Sequence, residues 1–226
     1  MRLPTTTVLS LSALAVLTVA SCSTSPEHSA HSPAGQDGTS ASAPAPLSSA
    51  ALDKRLLDES DLSEDYTRVP QRPAAHDDVT VIGCPALEKL GGDTATGTSL
   101  AFPRKAKASF TYAGATGSEL SEELYSDTAA KLSKGIGEIF DAMVSCPAYQ
   151  VLSGSTAIDM RTQETAAPAL GDEQWSQLLT FSAAGQRSIV KQTALRSGTV
   201  VVIVSGSPGL VDANLKKALD KAQSAR

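Results

Sequence analysis

Histidine, tryptophan and cysteine are scarce in this chain of 226 residues, which has three, one and three of them. No GxSxG elbow, P-loop, GxGxxG, HExxH or CxxC is present, so the usual frames for acyl transfer, phosphate binding, dinucleotide binding and zinc are missing. Beyond residue 48 the one histidine is His76, too little for a Ser/His/Asp or Cys/His arrangement, in which a base is held against a nucleophile. Acidic residues outnumber basic ones by 24 to 19, and the lysines and arginines form no block. That excludes a nucleic-acid partner, which needs clustered positive charge, and electrostatic adhesion to anionic lipid. No apolar run approaches the roughly 20 residues that cross a bilayer. The composition points away from an enzyme, and no catalytic residue, cofactor or metal centre is expected.

What is present begins with MRLPTTTVLSLSALAVLTVASC. A positive charge at Arg2, a short apolar run from Val8 to Val19 and small residues after it make a secretory signal. Val19-Ala20-Ser21-Cys22 resembles the bacterial lipobox, which implies cleavage after residue 21 and a diacylglycerol on the thiol of Cys22, with further acylation such as palmitate. The expected partner is thus the cytoplasmic membrane, reached through N-terminal acyl chains, with the protein on its extracytoplasmic face. Loss of Arg2 takes the net charge from −5 to −5 − 1 = −6. With Cys22 lipidated, Cys84 and Cys146 remain. Outside the cytoplasm they are expected to form a disulfide, the alternative being two buried free thiols.

Residues 22–48 are rich in Ser, Thr, Ala, Pro and Gly and read as a disordered tether. His28 and His31 lie in it as HSAH, and such a pair on a solvated segment is read as no metal site. The folded domain is expected over residues 49–226. Leu52, Leu56 and Leu57 make an apolar stripe on a short helix, followed by an extended stretch from Tyr66 to Val69. His76, Asp77 and Asp78 fall in a Pro- and Ala-rich loop, where solvation explains them without chemistry.

VTVIG, residues 79–83, is a β-branched run, and Ala108, Phe110 and Tyr112 alternate with polar residues as in a half-buried strand. From Glu119 to Cys146, the residues Leu120, Leu124, Leu132, Ile136, Ile139, Phe140 and Met143 recur at helical spacings. One long helix capped by Ser118 is expected there, with Gly135 and Gly137 serving close packing or a bend. A strand is expected near Tyr149 to Leu152. Gln174–Ser182, Arg187–Leu195 and Thr199–Ser205 then read as a meander joined by the short loops AAGQ and RSG. Val200 to Val204 is apolar at every position and should be buried on both faces. An amphipathic helix over about 211–222 closes the chain. The fold class is α+β, with a mainly antiparallel sheet, a long central helix and a C-terminal helix packed on it.

LLDESDLSEDYTRVP resembles the opening of PknH-like extracellular sensor domains and related bacterial envelope lipoproteins. FDAMVSC at a helix end, GDEQW before a strand and RSGTVVVIVS leading into a last helix add to the likeness, which spans about residues 50 to 224. It implies an antiparallel sheet with helices shaped around a ligand-binding cleft, and no catalytic residues.

Two functions from different classes fit: a lipid-anchored binding or sensor module, or an envelope structural or protein-interaction lipoprotein without a small-molecule site. For the first, Trp175 and Phe181 share a strand face and are the candidate ligand residues, beside the strand of residues 187–195. The alternative for Trp175 is a plain core position.

Overall fold

Val200 to Gly206 is the strand on which the molecule is built, and its burial alternates between two layers. The computed structural model describes residues 44–71, 79–91, 102–114 and 118–224. Cys22, His28, His31, His76, Asp77 and Asp78 lie outside these residues. The nine strands are β1 (Tyr66–Val69), β2 (Val79–Ile82), β3 (Lys105–Tyr112), β4 (Ser118–Ser126), β5 (Ala148–Ser153), β6 (Thr156–Glu164), β7 (Glu173–Ala183), β8 (Gln186–Ser197) and β9 (Val200–Gly206). They form a single sheet in the order β1-β3-β4-β9-β8-β7-β6-β5-β2. Every neighbouring pair is antiparallel.

Among the described residues four helices accompany the sheet: α1 (Ser49–Asp53), α2 (Pro85–Leu90), α3 (Ala129–Ser145) and α4 (Pro208–Gln223). Val200, Val202 and Val204 share a core with Leu52, Leu56 and Leu57 near α1, and with Val211, Leu215, Ala218 and Leu219 of α4. Val201 and Ile203 point the other way, among Tyr125, Leu132, Ile136 and Phe140. The run that reads as apolar throughout is therefore covered on both sides, as its composition requires. Leu47, ahead of α1, also packs on the first core, and its N–H donates to Ser126 Oγ at 2.8 Å.

The expected helix from Glu119 to Cys146 is corrected in its first third. Residues 118–126 are strand β4, and the helix starts at Ala129 behind Thr128, whose Oγ1 accepts from the Lys131 N–H. Leu120 and Leu124 are four apart, a spacing that suits a helix turn and a period of two equally. Glu122 between them is fully buried on the same side, and Tyr125 is buried on the opposite side, which only a strand allows. Gly135 serves close packing, since a Cβ there would lie 2.7 Å from the Phe102 ring, whereas one at Gly137 would meet nothing within 4 Å. Strand β6 also lies where no strand is expected from the sequence. Its inward residues Ile158, Met160 and Thr162 alternate too weakly to mark it.

Candidate ligand-binding cleft

Trp175 reaches the α3 side of the sheet because of how β7 is anchored. Gly171 takes φ 72° in the turn before the strand, and a Cβ there would sit 2.5 Å from the Arg196 carbonyl oxygen. The Asp172 N–H donates to that same oxygen at 2.7 Å. Across the hairpin, Arg196 Nε donates to Glu173 at 2.6 Å and Arg196 Nη1 to Asp172 at 3.0 Å. The hydrogen bond from Arg196 holds the Glu173 carboxyl below its usual range. Ser133 Oγ of α3 also donates to Glu173 at 2.9 Å, so helix and strand are tied near the start of β7.

From that anchor, Glu173, Trp175, Gln177, Leu179 and Phe181 alternate onto the α3 face. Trp175 is half-buried and packs on Phe140 of α3, with ring centroids 6.2 Å apart and an interplanar angle of 33°. Beside this pair lies a cleft of about 260 Å³. Phe140, Asp141 and Val144 of α3 form one wall, Gln174, Trp175 and Ser176 of β7 form another, and Glu164 to Ala167 close the third side. The last segment is fixed to β7, because the Thr165 N–H donates to the Ser176 carbonyl at 2.9 Å. A hydroxyl chain continues the attachment, with Thr165 Oγ1 donating to Ser176 Oγ at 3.0 Å and Ser176 Oγ lying 2.8 Å from Thr193 Oγ1. Asp141 and Glu164 are exposed at the mouth.

The far end of α3 is held covalently. Cys84 and Cys146 form a disulfide with Cα atoms 5.7 Å apart, joining the start of α2 to the end of α3, two residues past Val144. Around it lie Leu87, Met143, Tyr149, Val151, Met160 and Leu179. Burial pushes the Tyr149 hydroxyl up to about 12, leaving it protonated at any physiological pH.

The structure separates the two candidate ligand residues. Trp175 lines the cleft, while Phe181, six positions along the same strand face, packs against the core around the disulfide. No residue of the 187–195 strand lines the cleft; Ala194, beside Trp175 on the neighbouring strand, is fully buried. The walls from α3 and from Glu164 to Ala167 are not legible in the sequence. Phe140 shows only its core-facing period, and Glu164 with the three residues after β6 bears no motif. Among the described residues no group of three or more His, Cys, Asp and Glu side chains could hold a metal ion. No described helix is long and apolar enough to cross a membrane.

No family model matches the chain, and no curated protein matches it. Among solved structures it is similar to the extracellular domain of PknH from Mycobacterium tuberculosis. That likeness is 14% in identity, covers 78% of this chain and 97% of that one, and has a TM-score of 0.58. An uncharacterized protein from Mycobacterium smegmatis matches at 9% identity over 74% of this chain and 93% of its own, with a TM-score of 0.42. The chain thus has the fold of the PknH extracellular domain, as its opening and closing motifs suggest.

Proposed function

We propose that this chain is a lipid-anchored binding module on the extracytoplasmic face of a bacterial cytoplasmic membrane, and that it binds rather than catalyses. The observation that carries the reading is the cleft beside Trp175. It combines an aromatic wall with a few polar groups on rigid elements, which is the make-up of a small-ligand site. The anchor is proposed from the signal-like run ending in Val-Ala-Ser-Cys, with two or more acyl chains on Cys22 holding the protein stably. A Cys84–Cys146 disulfide suits an oxidising compartment. The cleft lining offers carboxylates but no histidine, serine–base pair or cysteine for covalent chemistry.

A purely structural or protein-interaction role calls for a continuous exposed apolar patch. Among the described residues the exposed large apolar side chains are Ile82 on β2, Leu90 on α2 and Ile189 on β8, and β8 lies four strands and about 19 Å from β2, so the three do not make one patch. A melting screen of the protein against envelope lipids, glycans and peptides tests the binding reading. A ligand at a hundredfold excess over its dissociation constant should stabilise the native state by about 2.7 kcal/mol. Trp175→Ala should remove the shift. Absence of any shift across the screen would favour the interaction role. The anchor is tested separately: Cys22→Ser should leave the membrane fraction or remain uncleaved, and processing and retention like wild type would overturn it.

A further inference from the structure

We propose that the cleft beside Trp175 takes an organic cation, an alkylammonium or guanidinium head group. This rests on reading the cleft as a ligand site and adds the charge class of what enters it. Two carboxylates, Asp141 and Glu164, line the cleft and no basic side chain does. Neither carboxylate has an ion-pair partner among the described residues.

The C-terminal end of an α-helix carries partial negative charge, so cations are favoured there and acids are not. Asp141 stands four residues before the end of α3, and the last turn of that helix has no basic residue. Glu138, one turn earlier, adds a further negative charge and is paired only with Lys134, at 3.8 Å. A cation in the cleft would offset both the carboxylates and the helix end.

The walls suit the same guest. The faces of Phe140 and Trp175 attract cations through the ring quadrupole, and tryptophan does so best. At about 260 Å³ the cleft is smaller than the usual range for drug-sized ligands, which fits one head group on a short chain.

Trp175 is the sole tryptophan, so its fluorescence reports on the cleft alone. The full chain in detergent is titrated with n-butylguanidinium, n-butylammonium, n-butanol and butyrate. Saturable changes in emission are expected from the two cations only, weakening as salt is raised. Asp141→Asn and Glu164→Gln are exposed changes that should keep the fold, as their melting temperatures will verify. Each should weaken cation binding about fivefold, the worth of one exposed ion pair. The tripeptide Gly-Arg-Gly separates the sources, since tighter binding than n-butylguanidinium points to a peptide side chain and equal or weaker binding to a free cation. If n-butanol or butyrate binds as well as the cations, the charge class is wrong while a ligand cleft stands. Cation binding unchanged in both variants, or silence from all four ligands, also overturns the inference; the broader melting screen then decides whether the cleft binds anything.

Discussion

The two faces of the sheet are finished in different ways. Under α1 and α4 the apolar packing is one continuous cluster, running from Leu52 through Leu124 and Val204 to Ala222. Even the carboxyl inside it, Glu122, is fully buried, with one oxygen accepting the Leu57 N–H at 2.6 Å and the other without a partner. Ion pairs close its rim, with Lys221 Nζ bound to both Asp58 and Asp61. Under α3 the packing is broken in two. One cluster surrounds the disulfide and the other surrounds Tyr125 and Ile136. Between them on β7 and β8 sit Gln177 and Gln192, joined at 2.9 Å, with Gln177 Nε2 also donating to Met143 Sδ at 3.1 Å. The cleft lies at the edge of this interrupted layer. One face seals the sheet and supplies stability, which frees the other to be incompletely filled. Segments that bind are drawn from such less tightly packed regions.

The largest effect should come from cutting the covalent tie on the α3 face. Replacing Cys84 and Cys146 together with serine opens a link spanning 62 positions. In the chain-entropy account that costs about 4 kcal/mol, read by urea unfolding under oxidising conditions. A loss below about 1 kcal/mol would mean that packing alone holds α3 in place.

Next come matched truncations on the two faces. Leu124 is fully buried in the continuous cluster, and Leu124→Ala should cost about 3 kcal/mol. Trp175 is larger but half-exposed, so Trp175→Ala should cost less, about 1 to 2 kcal/mol. Equal costs would erase the distinction between a sealed face and an open one.

The last comparison is a slope with pH, and it belongs to the sealed face. Burial raises the Glu122 carboxyl from 4.5 to about 8, against the weaker pull of the Leu57 N–H and of Lys221. The folded state therefore holds this proton more tightly than the unfolded one. Its stabilising contribution is complete below pH 4.5 and is lost as pH rises toward 8, by at most about 1.4 kcal/mol per pH unit for one proton. Asp58 and Glu173 have lowered values and act in the opposite sense, at acid pH, so they leave that window clear. Melting temperatures measured from pH 5 to 8.5 should fall in the wild type and stay flatter in Glu122→Gln. Equal slopes in the two proteins would remove Glu122 from the account.

The sealed face was the easier one to read from the sequence. Val200 to Val204, the loop RSG and the final amphipathic helix are local signals, and they give β9, its hairpin with β8, and α4 nearly to their observed ends. Local pattern fails where two periods coincide, as at Leu120 and Leu124, and where polar residues dilute alternation, as along β6. The cleft fails for another reason. Its three walls come from α3, from the end of β6 and from β7, and it takes the pairing of β6 with β7 and the packing of α3 on β7 to bring them together. Trp175 alone stands out by residue type, which is why it could be singled out while Phe140, Asp141 and Glu164 could not. Phe181 shares its periodicity but not its surroundings.

Whether Trp175 is a cleft wall or a core residue is the point on which the account turns. Acrylamide quenching of its fluorescence in the full chain measures that directly, because no other tryptophan contributes. The expected result is quenching midway between a free and a fully enclosed indole, falling when n-butylguanidinium occupies the cleft. Protection from acrylamide in the ligand-free protein as complete as that of an enclosed core residue would contradict it.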